Sequence, residues 1–209
     1  MEKLGGIFIT SFLIAFSGAL MPGPLLSATI SESGRRGWKV GPLFILGHGV
    51  LEALLIVGLF LGLAPLLVSK AAFIIIAFAG GGFMIWMALG MFRSLPGLTL
   101  AGEPMKSGNP LPLTGALLSL ANPYWIIWWA TIGLGYVLIS GKLGLPGILA
   151  FFIGHILADL TWYAFVSLAV HKGRDILPDR VYRGLIAVCA VFLLGYAGYL
   201  LYNGIQYLI

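Results

Sequence analysis

Residues 40–67 read VGPLFILGHGVLEALLIVGLFLGLAPLL. One side chain in this run, Glu52, is acidic, and none is Lys or Arg. At about 1.5 Å per residue a helix of roughly 20 residues crosses about 30 Å of hydrocarbon, and this run is long enough. The run is therefore a membrane-spanning helix that carries a carboxylate. His48 precedes Glu52 by four residues, which puts both on one helical face. A second run, residues 145–170, repeats the arrangement as Gly154-His155 and Asp159.

The rest of the chain has the same character. Of its 209 residues 60% are hydrophobic and 9% charged, against roughly 25% charged in soluble domains. The fold class is an all-α integral membrane protein. Six runs are long enough to span, near Leu4–Ile30, Val40–Leu67, Ala71–Phe92, Leu113–Ile139, Leu145–Val170 and Arg183–Tyr207. Met1 to Ala19 has some features of a signal peptide, but its apolar run continues to Ile30, so a retained first span is expected. Residues 94–112 are rich in Pro and Gly and read as a cytoplasmic linker between two halves, 1–93 and 113–209, of three helices each.

Charge placement sets an orientation. The net charge of +5 is spread thinly between the spans, which argues against nucleic-acid binding. With the N-terminus outside, Arg35, Arg36, Lys39, Arg93, Lys106, Lys172, Arg174, Arg180 and Arg183 are cytoplasmic, and Lys3, Lys70 and Lys142 are outside. The positive-inside rule then predicts both termini outside. The single cysteine, Cys189, excludes an intrachain disulfide and reads as a packing residue.

The two halves share motifs at corresponding helices. The first helix of each carries a proline motif, Met21-Pro22-Gly23-Pro24 and Ala121-Asn122-Pro123. The second carries the Gly-His…acid motif. An odd number of helices per half makes the second copy enter the membrane in the opposite sense. The expected architecture is two inverted three-helix repeats, common in secondary transporters with a binding site near the midplane.

The chemistry concentrates in those motifs. Glu2, Glu32, Glu103, Asp175 and Asp179 fall at ends or in loops, whereas Glu52 and Asp159 lie roughly a dozen residues into their spans. A carboxylate there costs about 2.5 kcal/mol or more and usually faces a polar cavity, an ion path or a partner. His48 and His155 are placed to donate to it or relay a proton. Pro22, Pro24 and Pro123 remove helical donors and break their helices. The expected result is free carbonyls on Gly18, Leu20 and Ser119, with Gly23 and Asn122 at the breaks. Carbonyls suit an ammonium, and a half-helix amino end suits a carboxylate, so the pair suits an amino acid. Trp125, Trp128 and Trp129 read as packing or as cation–π partners. Two histidines and two carboxylates also suit a divalent metal as cargo, the alternative reading. No motif of a soluble enzyme, resident metal centre or cofactor site is found.

With PGP at Pro22–Pro24, RRGWKVG at Arg35–Gly41, the acid of GHGVLE and LANP at Leu120–Pro123, the chain resembles the LysE/RhtB family of amino-acid exporters over nearly its whole length. It departs in Leu25 after PGP, where a small polar residue is common, and in Glu52, where Asp is common. The resemblance implies a six-helix inner-membrane exporter of amino acids or related small metabolites, driven by proton antiport and forming homodimers. It assigns substrate binding or proton coupling to Pro22, Gly23, Pro24, Glu52, Asn122, Pro123 and Asp159. The helical spacing adds His48 and His155.

Overall fold

The computed structural model describes residues 2–67, 69–99, 110–173 and 178–208. Most of the 94–112 linker, with Lys106 and Glu103, lies outside the described residues, as do Arg174 and Asp175. Among the described residues there is no strand. Six helical stretches are long and apolar enough to cross a membrane, and the protein is a multi-pass membrane protein.

The first expected span is broken in two: α1 (Glu2–Ala19) and α2 (Pro24–Arg36). The second, α3 (Val40–Gly58), runs through a π-helical turn at Leu59–Leu63 into α4 (Ala64–Leu67). The third joins α5 (Lys70–Ile75) through a π-helical turn to α6 (Gly81–Ser94). The fourth is broken into α7 (Leu111–Leu120) and α8 (Pro123–Trp128), the latter continuing through a π-helical turn at Trp129–Gly133 to α9 (Leu134–Gly141). The last two are α10 (Gly144–Gly173) and α11 (Asp179–Leu208), each of 30 residues. The sequence estimates sit inside these elements and stop short of several ends, because helices extend beyond the apolar run into polar flanks such as Arg35-Arg36 and Asp179.

Packing crosses between the halves. The first helix of one half lies against the second of the other: α1 on α10, and α7 on α3. The two second helices, α3 and α10, also touch, and α6 pairs with α11. Glycine permits the close approaches. A Cβ on Gly47 of α3 would overlap the Pro112 carbonyl at the start of α7, and one on Gly115 of α7 would overlap the Phe44 carbonyl of α3. On α10, a Cβ at Gly154 would overlap the Ser11 hydroxyl and Phe8 carbonyl of α1. The residue before each motif histidine is thus where a facing backbone needs room.

Polar bonds tie these contacts together. Ser167 Oγ of α10 accepts the Gly41 backbone N–H at 2.7 Å and the Ser33 hydroxyl at 3.0 Å, joining α2, α3 and α10. In a membrane such buried hydroxyls need protein partners. The outward face is apolar instead, with Leu61 83% and Trp86 69% exposed, as lipid contact requires.

Candidate functional site

Two apolar clusters flank the middle of the bundle. One includes Leu25, Leu26, Ile30, Phe44, Ile45, Tyr163 and Tyr182. The other includes Ile56, Leu59, Trp128, Trp129, Val137 and Phe151. A small cavity of about 50 Å³ is lined by Gly18, Met21, Gly23, His48, Glu52, Asn122, Tyr124, His155 and Asp159, among others. Both helix breaks and both Gly-His…acid motifs therefore face the same space.

Each break has the same cause and a different finish. At the first, Gly23 is extended (φ −144°, ψ −175°) and Pro24 opens α2, where a missing N–H costs nothing. No side chain caps this end, so its first amides are left for other partners. At the second, Pro123 opens α8 and the Asn122 Oδ1 accepts the Tyr124 N–H at 3.1 Å. That end is satisfied internally. The two breaks abut: a Cβ on Gly23 would sit 3.2 Å from the Asn122 Nδ2.

The carbonyl expectation needs correcting. Gly18 O accepts the Met21 N–H and Ser119 O accepts the Asn122 N–H, at 3.1 and 3.0 Å. Each helix tightens its last turn into an i to i+3 bond, which takes up a carbonyl the proline abandons. The breaks therefore offer fewer free carbonyls than counting prolines suggests. Replacing Asn122 by Ala removes a helix cap, and the expected loss is about 1 kcal/mol. A fall in the thermal midpoint of the purified protein in detergent checks this, with Asn122→Asp, which can still cap, restoring it.

The four titratable side chains meet at the centre. His48 and Glu52 lie on α3 and His155 and Asp159 on α10, and all are buried, at 7%, 1%, 4% and 4% exposure. His48 Nε2 stands 3.0 Å from Glu52 Oε1 and 3.6 Å from Asp159 Oδ2. His155 Nε2 stands 3.1 Å from Glu52 Oε2 and 3.3 Å from Asp159 Oδ2. Each imidazole thus faces its own helix's acid and the other helix's acid. Two carboxylates removed from water need compensating positive charge, because an uncompensated buried charge is costly. The two imidazoles are placed to supply it.

Other residues hold this cluster in place. The indole N–H groups of Trp125 and Trp129 donate to Glu52 Oε1 at 3.0 and 2.8 Å. His48 Nδ1 lies 2.8 Å from Ser119 Oγ, whose own proton goes to the Gly115 carbonyl. Trp128 packs on the His155 ring, with centroids 4.8 Å apart. Trp128 Nε1 also donates to Ser17 Oγ, and the Tyr124 hydroxyl to Ser17 O. Sequence reasoning treated the tryptophans as packing or cation–π groups and named only the carbonyl of Ser119, not its hydroxyl. The available signal was the i, i+4 spacing of Trp125 and Trp129, which puts two donors on one face of a helix that follows a break.

Comparison with known proteins agrees with this architecture. ChpE of Pseudomonas aeruginosa, named a chemotactic transduction protein, is 27% identical over 194 residues, covering 92% of this chain and 96% of ChpE. YcgF of Bacillus subtilis, whose name assigns it to amino acid efflux, is 25% identical over 213 residues, covering 97% and 99%. No solved structure matches. The LysE type translocator family matches residues 16–204, nearly the whole bundle and both motif pairs. The chain belongs to the LysE type translocator family, and it is a membrane transporter.

Proposed function

We infer that the chain exports amino acids or related small metabolites across the prokaryotic inner membrane by proton antiport. The observation that carries this reading is the convergence of four buried titratable side chains and two helix breaks on one cavity. The uncapped amino end of α2 suits the substrate's carboxylate. Glu52 and Asp159 suit its ammonium and, with His48 and His155, the exchanged protons. Pro22, Gly23, Pro24, Asn122 and Pro123 shape the wall between them. The name of YcgF, an amino acid efflux protein, is in keeping with this substrate class.

The two halves act as inverted repeats in this reading, with both termini outside. The crossed pairing of α1 with α10 and α7 with α3 supports it, since exchanging the halves maps one pair onto the other. Alternating access then consists of one repeat rocking against the other about the α3–α10 contact. A counterflow screen in proteoliposomes, over amino acids with and without an imposed pH gradient, tests the assignment. The expected result is exchange of one amino-acid class, accelerated by a gradient directed against export. No counterflow with any amino acid removes it.

A further inference from the structure

The central cluster has the donor set and dimensions of a metal site. A four-coordinate Zn²⁺ with ligands at about 2.0–2.1 Å has ligand atoms about 3.3 Å apart. The imidazole–carboxylate separations here are 3.0, 3.1, 3.3 and 3.6 Å, and one ligand atom from each of the four residues lies within 4.8 Å of every other. The lone-pair supply also fits. Glu52 Oε2 and Asp159 Oδ2 are buried and face no polar group besides the two imidazoles, at 3.1 Å and at 3.3 and 3.6 Å. With Ser119 donating to Gly115, Ser119 Oγ accepts the His48 Nδ1–H, which fixes the ring so that Nε2 points at two carboxylates, where a metal ion would take the place of the Nε2 proton. A ligating histidine is commonly held in this way, its second ring nitrogen donating outward. The charge fits as well, since one divalent ion that replaces the two imidazole protons leaves the same balance against the two buried carboxylates.

We propose that His48, Glu52, His155 and Asp159 form a four-coordinate site for a divalent transition-metal ion, with Zn²⁺ or Co²⁺ as the fitting class. The ion lies where the α3 and α10 motifs cross, each motif supplying one nitrogen and one oxygen. Two helices supplying two ligands each makes the site sensitive to their separation. It therefore exists in those carrier states that bring α3 and α10 to the spacing seen here. Magnesium and calcium fit poorly, because they take six or more oxygen ligands and two of these four are nitrogen.

The test uses purified full-length protein without a histidine tag, in detergent at neutral pH, titrated with Zn²⁺ alone by calorimetry. The expected result is one ion per chain, with affinity at least about 100-fold weaker in His155→Gln or His48→Gln, since even outer-shell changes cost 10–100-fold. Co²⁺ is added to the wild type as a second measurement, and it should give the intense visible bands of four-coordination. This measurement decides the matter if the variants do not fold. Absence of saturable binding, equal affinity in both variants, or a six-coordinate Co²⁺ spectrum overturns the proposal. The proposal does not rest on the amino-acid reading. Amino-acid counterflow without Zn²⁺ binding removes the metal site alone, and Zn²⁺ binding without amino-acid counterflow removes the exporter assignment alone.

Discussion

Glu52→Gln is expected to abolish proton-driven efflux while leaving the protein folded and inserted. The substitution keeps the size of the side chain and a carbonyl oxygen for the Trp125 and Trp129 indoles, so the packing around it survives. It removes the charge that both histidines face. Hydrogen bonds to charged groups contribute about 1.5–3 kcal/mol, so loss of the charge at a bound ammonium alone predicts a fall of roughly 10- to 100-fold in substrate affinity. Loss of the exchanged proton removes the coupling as well. The measurement is uphill efflux from proteoliposomes under a pH gradient, with the thermal midpoint of the same sample as a control for folding. Asp159→Asn should behave alike, because Asp159 Oδ2 faces the same two imidazoles. Wild-type efflux in both variants would sink the proposed mechanism.

The second large effect concerns structure. Gly47→Ala and Gly154→Ala should each cost at least about 3 kcal/mol, the upper end of ordinary overpacking. The added methyl has no flexible neighbour to displace at Gly47, where it meets the Pro112 backbone. At Gly154 it meets the Phe8 carbonyl and a Ser11 hydroxyl already bonded to it. Gly82 is the control, since nothing lies within 4 Å of its Cβ position. There Ala should be neutral or add up to about 1 kcal/mol through helix propensity. Thermal midpoints and the monodisperse fraction in detergent report the difference. Equal stability of all three variants would show that the helix crossings have slack the geometry denies.

What the sequence made legible follows from what local spacing can carry. The runs around Glu52 and Asp159 declared their spans because each holds more than 20 residues with a single acid, a pattern that lipid accommodates. An i, i+4 pair on one helix is fixed by helical geometry, so His48 with Glu52 and His155 with Asp159 were readable separately. That the pairs meet was suggested only by their matching positions in the two halves. Glycine before each histidine carried a further signal, because a residue without Cβ in the middle of a span allows another helix to come close. The partners of Glu52 on α8 and the turn after it, and of His48 on α7, depend on how helices from opposite halves cross, which no local spacing encodes. The proline breaks were placed correctly, but the fate of their carbonyls was not. A terminal turn that tightens by one residue is decided by backbone geometry rather than by residue type.

The crossed packing of α1 on α10 and α7 on α3 has a consequence for how such a chain comes to exist. Neither three-helix segment owns a finished wall; each presents its broken helix to a neighbour that the other must provide. Completion of the cavity therefore waits until both have been inserted.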